Sequence, residues 1–588
     1  MSRRHGLLAC WAAGALLCTA LLPAAHSAAA GAEPRTPTRA PSTSTAAVDP
    51  AYDVLVFSKT AGFRHSSIDE GVTALRELGT ANNFTITATE DAAAFTSANL
   101  AGYEAVVFLS TTGDVLNATQ QTAFEGYIAA GGGYVGIHAA ADTEYDWSWY
   151  GGLAGALFQS HPAIQPATVE VEDRAHDATA HLGQTWQRTD EWYDYRTNPR
   201  TTAHVLASLD ESTYSGGSMG DDHPIAWCKD YEGGRAFYTG GGHTEESYTD
   251  PAFRRHLLGG IRWAAKLTEA DCRPETGYTP LYGTSGTGGW KQAGPGSFAE
   301  SDATLTSREG LGLLWYQTKE YKAYSLKLDW RQSGDDNSGV FVGFPASDDP
   351  WSAVDNGYEI QIDATDSSDR TTGSVYGFKS ADLPARDAAL NPPGEWNTYE
   401  IRVEGERLQL FLNGRRINDF TNTDPARSLQ QGHIGLQNHG DGDDVSFRNI
   451  RIKEFGSATG PREGAVTGIG AKCLDVASGA SADGTQVQLW TCNRSAAQKW
   501  TVGTDSTLRA LGKCLDISGG GSADGTKIQL YGCNGTGAQR WEPQVNGTLR
   551  NPQSGKCLDA AGASSADGTK LHLWSCHTGA NQMWVLPG

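Results

Sequence analysis

Histidine is the side chain best placed to move protons or hold a metal near neutral pH. In the first half of this chain, histidines fall where loops leave predicted strands. His138 ends the run Tyr134-Val135-Gly136-Ile137 in GGGYVGIHAAADTEYDW. A sharp strand-to-turn junction pushes its residue out over a sheet, and several enzyme families place a nucleophile there. A histidine at that point reads instead as an acid/base or, with His65 or His243, as a ligand for a divalent metal. His65 follows DVLVFS in KTAGFRHSS, and His243 follows GRAFYTGGG. His161 lies in FQSHP and Asp190-Glu191 in TDEWYDY, with Glu191 a further catalytic candidate. Neutral imidazoles without a metal satisfy the same pattern, so no cofactor is certain.

The elements that must carry these residues alternate. DVLVFS, FTITATE, YEAVVFLS and GYVGIH read as strands, with helices around Ile68 to Leu78 and Ala118 to Ala130. HVLASLD, HPIAWCKDY and GRAFYTG follow, then a last helix in PAFRRHLLGGIRWAAK. Strand–helix alternation predicts a mostly parallel sheet, with functional loops at the carboxyl ends of its strands. GFRHSSI, GGGYVGIHAAADTEYDW, SHP, DEWY, DHPIAWC and GGGHTEESY resemble the ThuA-like (trehalose-utilisation) family. The resemblance implies a class I glutamine-amidotransferase-like α/β fold and sugar chemistry. The elbow residue of amidotransferases is a cysteine, the attacking thiolate. Here Cys228 lies inside the strand PIAWC, so amide hydrolysis by a cysteine triad is disfavoured.

Carboxylates and amides dominate the next candidate site. In YEIQID, strand alternation sets Glu359, Gln361 and Asp363 opposite Tyr358, Ile360 and Ile362. In HIGLQNH, His433, Gly435, Gln437 and His439 share a face. YSLKLDW alternates likewise, and Asn413-Gly414 in LQLFLNGRRI signals a tight hairpin turn. Such spacing predicts a two-sheet sandwich. With NSGVFVGF and GEWNTYEIRV, the segment resembles the 3-keto-disaccharide hydrolase family, which implies a concanavalin-like sandwich and cleavage of glycosides already oxidised at C3. Glu359, Asp363, Gln437 and His439 are the catalytic candidates; in the plainer reading, Glu359 and Gln361 only hydrogen-bond sugar hydroxyls. Glu359 and Asp363, four apart on one strand, have α-carbons about 13 Å apart. That exceeds the roughly 5–9.5 Å of paired glycosidase carboxylates, so ordinary hydrolysis by this pair is a poorer reading.

The C-terminal segment repeats. CLDVASGASADGTQVQLWTC, CLDISGGGSADGTKIQLYGC and CLDAAGASSADGTKLHLWSC recur at spacings of 41 and 43 residues, each followed by a Q-x-W. One such unit cannot bury its own core, so three must close together. Three CLD, three ADGT and three Q-x-W motifs resemble the ricin-type β-trefoil lectin family. By that resemblance the sugar contacts are Asp475, Gln488 and Trp490; Asp516, Gln529 and Tyr531; and Asp559, His572 and Trp574. The third unit also carries Asn581 and Gln582, which makes it the best equipped, although His572 replaces a glutamine. Trp500, Trp541 and Trp584 are expected in the core.

Composition bounds the rest. A formal charge of −22 over 588 residues repels phosphate backbones, so nucleic acid is a poor partner; the expected partner is polysaccharide or oligosaccharide. Basic residues, a short apolar run and small residues read as a signal peptide over 1–30, followed by a Pro/Thr/Ser-rich linker over 31–50. No transmembrane segment is expected, and the protein is read as secreted. The ThuA-like domain is placed at 51–267, a connector at 268–288, the sandwich at 289–455, a linker at 456–463 and the trefoil at 464–588. In an exported protein, cysteines 19 apart read as disulfides: Cys473 with Cys492, Cys514 with Cys533, Cys557 with Cys576. Cys228 and Cys272 form a fourth pair or stay as buried thiols. No G-x-G-x-x-G follows a strand, so a separate sugar oxidoreductase would have to supply a 3-keto substrate. The leading reading is a secreted enzyme on 3-keto-glycosides; a non-catalytic glycan-binding protein and an ordinary glycosidase are the alternatives.

Overall fold

The computed structural model describes residues 49–283, 286–455, 462–503, 506–544, 547–577 and 579–587. The segment read as a signal peptide, 1–30, and most of the first linker lie outside them. No helix among the described residues is long and apolar enough to cross a membrane.

The first domain is a nine-stranded sheet with helices. Five parallel strands run side by side in the order Phe84–Thr89, Tyr52–Phe57, Ala105–Leu109, Gly133–Ile137 and Gly234–Thr239. The central strands Ala105–Leu109 and Gly133–Ile137 are buried throughout because helices cover the sheet, among them Ile68–Ala81, Ala118–Ala129 and Pro251–Ala264. The other four strands, Pro224–Tyr231, His204–Asp210, Gln165–Val171 and Thr185–Asp190, pair antiparallel. "Mostly parallel" is therefore correct for one half of the sheet. In the other half, tight turns such as Glu232-Gly233 reverse the chain without a helix.

The second domain stacks a five-stranded sheet on an eight-stranded one. Leu326, Leu328, Trp330, Ile360, Ile362, Tyr399 and Ile401 fill the space between them. Asn413 and Gly414 both take positive φ, 47° and 84°, which the two-residue turn joining Arg407–Leu412 to Arg415–Thr421 requires. Alternation in the strand Tyr324–Gln332 suggests one wet face, yet Ser325, Lys327 and Asp329 are buried too. The connector covers them. Lys327 Nζ lies 2.9 Å from Asp271 and 3.0 Å from Glu275, and Arg273 pairs with Asp271 and Glu400. Asn391 hydrogen-bonds the backbone of Glu269 through both amide atoms, tying the start of the connector to the second domain.

The third domain closes three like units around Leu474, Leu515, Leu558 and their neighbours. Trp500, Trp541 and Trp584 are buried, and each indole N–H donates to a backbone carbonyl of its own CLD strand. All eight described cysteines are paired: Cys228–Cys272, Cys473–Cys492, Cys514–Cys533 and Cys557–Cys576. Closing a 19-residue loop stabilises by about 3 kcal/mol per bridge in the chain-entropy model.

Candidate functional site

Three separate constellations emerge, one in each domain. In the α/β domain, the carboxyl ends of three of the parallel strands, Tyr52–Phe57, Gly133–Ile137 and Gly234–Thr239, lead into His65, His138 and His243, and the end of Thr185–Asp190 delivers Glu191. His138 sits at φ +50°, a conformation costly for a residue with a Cβ. Its ring is buried, lies 4.2 Å from the Tyr193 ring centre, and donates from Nδ1 to the Gly240 carbonyl at 2.9 Å. Glu191 Oε2 is 3.0 Å from His243 Nδ1 and 3.6 Å from His138 Nε2, while Oε1 is 3.0 Å from His161 Nδ1. One donor atom from each of His65, His138, Glu191 and His243 lies within 4.8 Å of the others. Asp190, pinned by Arg188, accepts the backbone N–H groups of Gly242 and His243 and so fixes the loop that carries His243. Burial, then the neighbouring His138 and His243, push His65 down to about 3. Burial alone would raise Glu191; the neighbouring His138 and His243 imidazoles outweigh it and hold the carboxyl well below its usual range. Cys228, bonded to Cys272, offers no thiolate here.

In the sandwich, a cleft of about 240 Å³ opens on the five-stranded sheet. Glu359, Gln361, Gln437 and His439 line it, together with Asn337, Phe341, Trp351 and Tyr376. Glu359 points over Gly339 of the adjacent strand, where a Cβ would lie 2.2 Å from its Oε1. Glycine at 339 is what makes room for the carboxyl. Glu359 Oε1, Gln361 Oε1 and Gln437 Oε1 are buried without a hydrogen-bond partner. Burial pushes Glu359 up to about 8, so it is chiefly neutral at pH 7. His439 Nδ1 lies 2.8 Å from Asp443, whose hydrogen bond raises the imidazole.

Asp363 stands apart from this group. It follows the strand end, and its carboxylate accepts the backbone N–H groups of Thr365 and Asp366 and the Asn337 amide. Asn337 in turn receives Gln361 Nε2 at 3.3 Å, so Asp363 touches the cleft only through Asn337. Sequence reading passed over Asn337, Tyr376 and Trp351. Trp351, half exposed on the short helix Trp351–Asn356, had one legible signal: a lone tryptophan in the polar run DDPWSAVDNG.

Each trefoil unit repeats one arrangement. Gln488 and Gln498 donate to the two oxygens of Asp475; Gln529 and Gln539 do the same for Asp516. In the third unit His572, Asn581 and Gln582 surround Asp559 at 2.7–2.8 Å, with His577 at 3.4 Å. Beside these pockets Trp490, Tyr531 and Trp574 are each 40 % exposed, flat faces open to the outside. His572 stacks on Trp574, with ring centres 5.1 Å apart.

Known families divide the chain where the structure does. Residues 53–264 match the trehalose utilisation (ThuA) family, 277–453 the 3-keto-alpha-glucoside-1,2-lyase-like domain, and 462–584 the ricin-type beta-trefoil lectin domain. Among curated proteins, a glucan endo-1,3-beta-glucosidase from Cellulosimicrobium cellulans is 60 % identical over 40 residues, and Nigrin b from Sambucus nigra 45 % over 40. Each match spans 7 % of this chain and 7 % of the relative's length. A solved ThuA-like protein from Bacteroides uniformis ATCC 8492 is 25 % identical, covering 39 % of this chain and 95 % of that one, with a TM-score of 0.33.

Proposed function

We propose that the chain is an exported, carbohydrate-active enzyme that cleaves glycosides bearing a ketone at C3, held on glycan by its trefoil. The observation that carries the reading is Glu359: a buried carboxyl with an unpartnered oxygen, beside two glutamines whose amide oxygens are also unpartnered, in a sugar-sized cleft. The match of this segment to the 3-keto-alpha-glucoside-1,2-lyase-like domain supports it.

A ketone at C3 makes the proton on C2 acidic. Removing that proton gives an enolate; the C1–C2 double bond then forms as the C1–oxygen bond breaks, and the leaving oxygen takes up a proton. Water adds across the double bond afterwards. Glu359, neutral at pH 7, donates to the C3 oxygen as negative charge builds there, a role open only to a carboxyl kept protonated. His439, held by Asp443, is the proton carrier of the same cleft. Gln361 and Gln437 accept sugar hydroxyls through their free oxygens, and Trp351 gives a pyranose ring a stacking face. A separate oxidation must supply the ketone. Glycan binding rests on Asp475, Asp516 and Asp559 with their partner aromatics. Three such pockets on one module favour a polymer through multivalency. Four disulfides support the exported setting.

The test is turnover of a 3-keto-β-glucoside beside its unoxidised parent by the mature protein. Aglycone release from the keto substrate alone is the expected result. Equal release from the parent would replace the reading with ordinary hydrolysis. No turnover with glycan binding intact would leave a binding protein.

A further inference from the structure

The histidine group of the α/β domain has the dimensions of a metal coordination shell. The ring centres of His65, His138 and His243 form a near-equilateral triangle with sides of 4.9, 5.0 and 5.1 Å, and the ring planes cross at 79–90°. Metal–nitrogen bonds of about 2.0–2.1 Å at tetrahedral angles put ligand atoms about 3.4 Å apart and imidazole centres about 5.2 Å apart. His138 Nε2 is 3.2 Å from His243 Nδ1, and Glu191 Oε2 stands 3.0 and 3.6 Å from those two atoms. One ring nitrogen of His65 lies within 4.8 Å of these atoms, so three rings and one carboxylate oxygen converge within the reach of a single ion.

Protonation is consistent with this. A carbonyl only accepts, so His138 Nδ1 carries the proton it gives to Gly240, and the Nε2 lone pair is left for the cluster. That hydrogen bond fixes the tautomer as an outer-shell partner of a ligating histidine does. His161, against Glu191 Oε1, orients the carboxylate so that Oε2 faces the imidazoles. His65 is 4 % exposed and its Nδ1 has no hydrogen-bond partner. A second histidine–carboxylate group nearby, Asp194, Glu211 and His223, is different. Both His223 nitrogens are taken, by Glu211 with Tyr214 and by the Tyr193 carbonyl.

We propose that His65, His138, Glu191 and His243 bind one divalent first-row transition ion, zinc matching the N₃O donor set best. The site lies at the carboxyl edge of the parallel strands, where open α/β sheets place their ligands. It stands independently of the sandwich cleft and its chemistry.

The full mature chain, stripped with chelator and freed of it, is titrated with cobalt(II) by visible absorption and with zinc by elemental analysis after gel filtration. One equivalent of each is expected, cobalt giving the intense bands of a four-coordinate site. Glu191→Gln, which keeps the side-chain shape, and His243→Ala, at a partly exposed ring, should each weaken binding by at least about tenfold. Glu211→Gln, in the second group, should leave it unchanged. Circular dichroism of the metal-free variants separates lost ligation from lost fold. Substoichiometric binding by the wild-type chain overturns the proposal without recourse to any variant. So does undiminished binding by folded Glu191→Gln and His243→Ala, or loss on Glu211→Gln.

Discussion

The sandwich cleft and the trefoil pockets both centre on a buried acid, and they treat it in opposite ways. Asp475, Asp516 and Asp559 have both oxygens occupied by glutamine, histidine or asparagine donors of their own unit. Those donors keep each aspartate aimed, as a static acceptor for sugar hydroxyls must be. Glu359 has a glycine beneath it and no partner for Oε1, and it holds a proton to about pH 8. An acid paired by its own fold is built to hold; one left unpaired is built to change its bonding when substrate arrives. The cost of an unsatisfied buried polar atom, about 1–3 kcal/mol, is carried in the cleft and avoided in the pockets.

That contrast can be broken at several points. The largest effect should come from Glu359→Ala, which removes the donor to the enolate oxygen; turnover should fall about 10²–10³-fold while glycan binding stays unchanged. Gly339→Ala forces Glu359 aside, and a loss of about 10²-fold is expected from the misplacement. Glu359→Gln keeps an N–H donor, so it should lose only about tenfold and also lose the fall in rate that wild type shows as pH rises through about 8. Were glutamine as damaging as alanine, Glu359 would transfer a proton rather than only donate a hydrogen bond.

Stability supplies an independent reading of the same residue. Glu359 binds its proton more tightly folded, at about 8, than unfolded, at 4.5. Its contribution is therefore fully present below the unfolded value and is lost as pH rises through the folded one. Thermal unfolding of Glu359→Gln should show little change at pH 4, and at pH 9 a gain on the order of a few kcal/mol at most. The smallest effect belongs to the pockets. Trp490→Ala, read by glycan affinity, should cost roughly 0.5–1.5 kcal/mol at its site, with turnover of a soluble keto-glucoside unaffected.

Much of this was legible in the sequence because it is local or periodic. The threefold Q-x-W repeat follows from spacing, the Asn413-Gly414 turn from its residue types, and the strand-end histidines from the apolar runs that precede them. What escaped reading depends on contacts between distant segments. Lys327 looks like a solvent-facing lysine until Asp271 and Glu275, more than fifty residues away, cover it. Asp363 shares strand parity with Glu359, yet a turn begins at Asp363 and its backbone amides claim the carboxylate. Trp351 and Tyr376 reach the cleft from a short helix and a loop, elements with no period to betray them. The antiparallel half of the first sheet was hidden for a related reason, since its pairing order is set by partners far along the chain.

The Cys228–Cys272 bridge has a consequence for handling the molecule. It spans 44 residues, and within them lie the exposed turn at Glu232-Gly233 and the exposed Glu245-Glu246 beside His243. A protease cutting at either point would sever the backbone without separating the pieces. Such a nicked preparation would run as a single band on a non-reducing gel and as two once thiol is added, so intactness has to be judged under reduction.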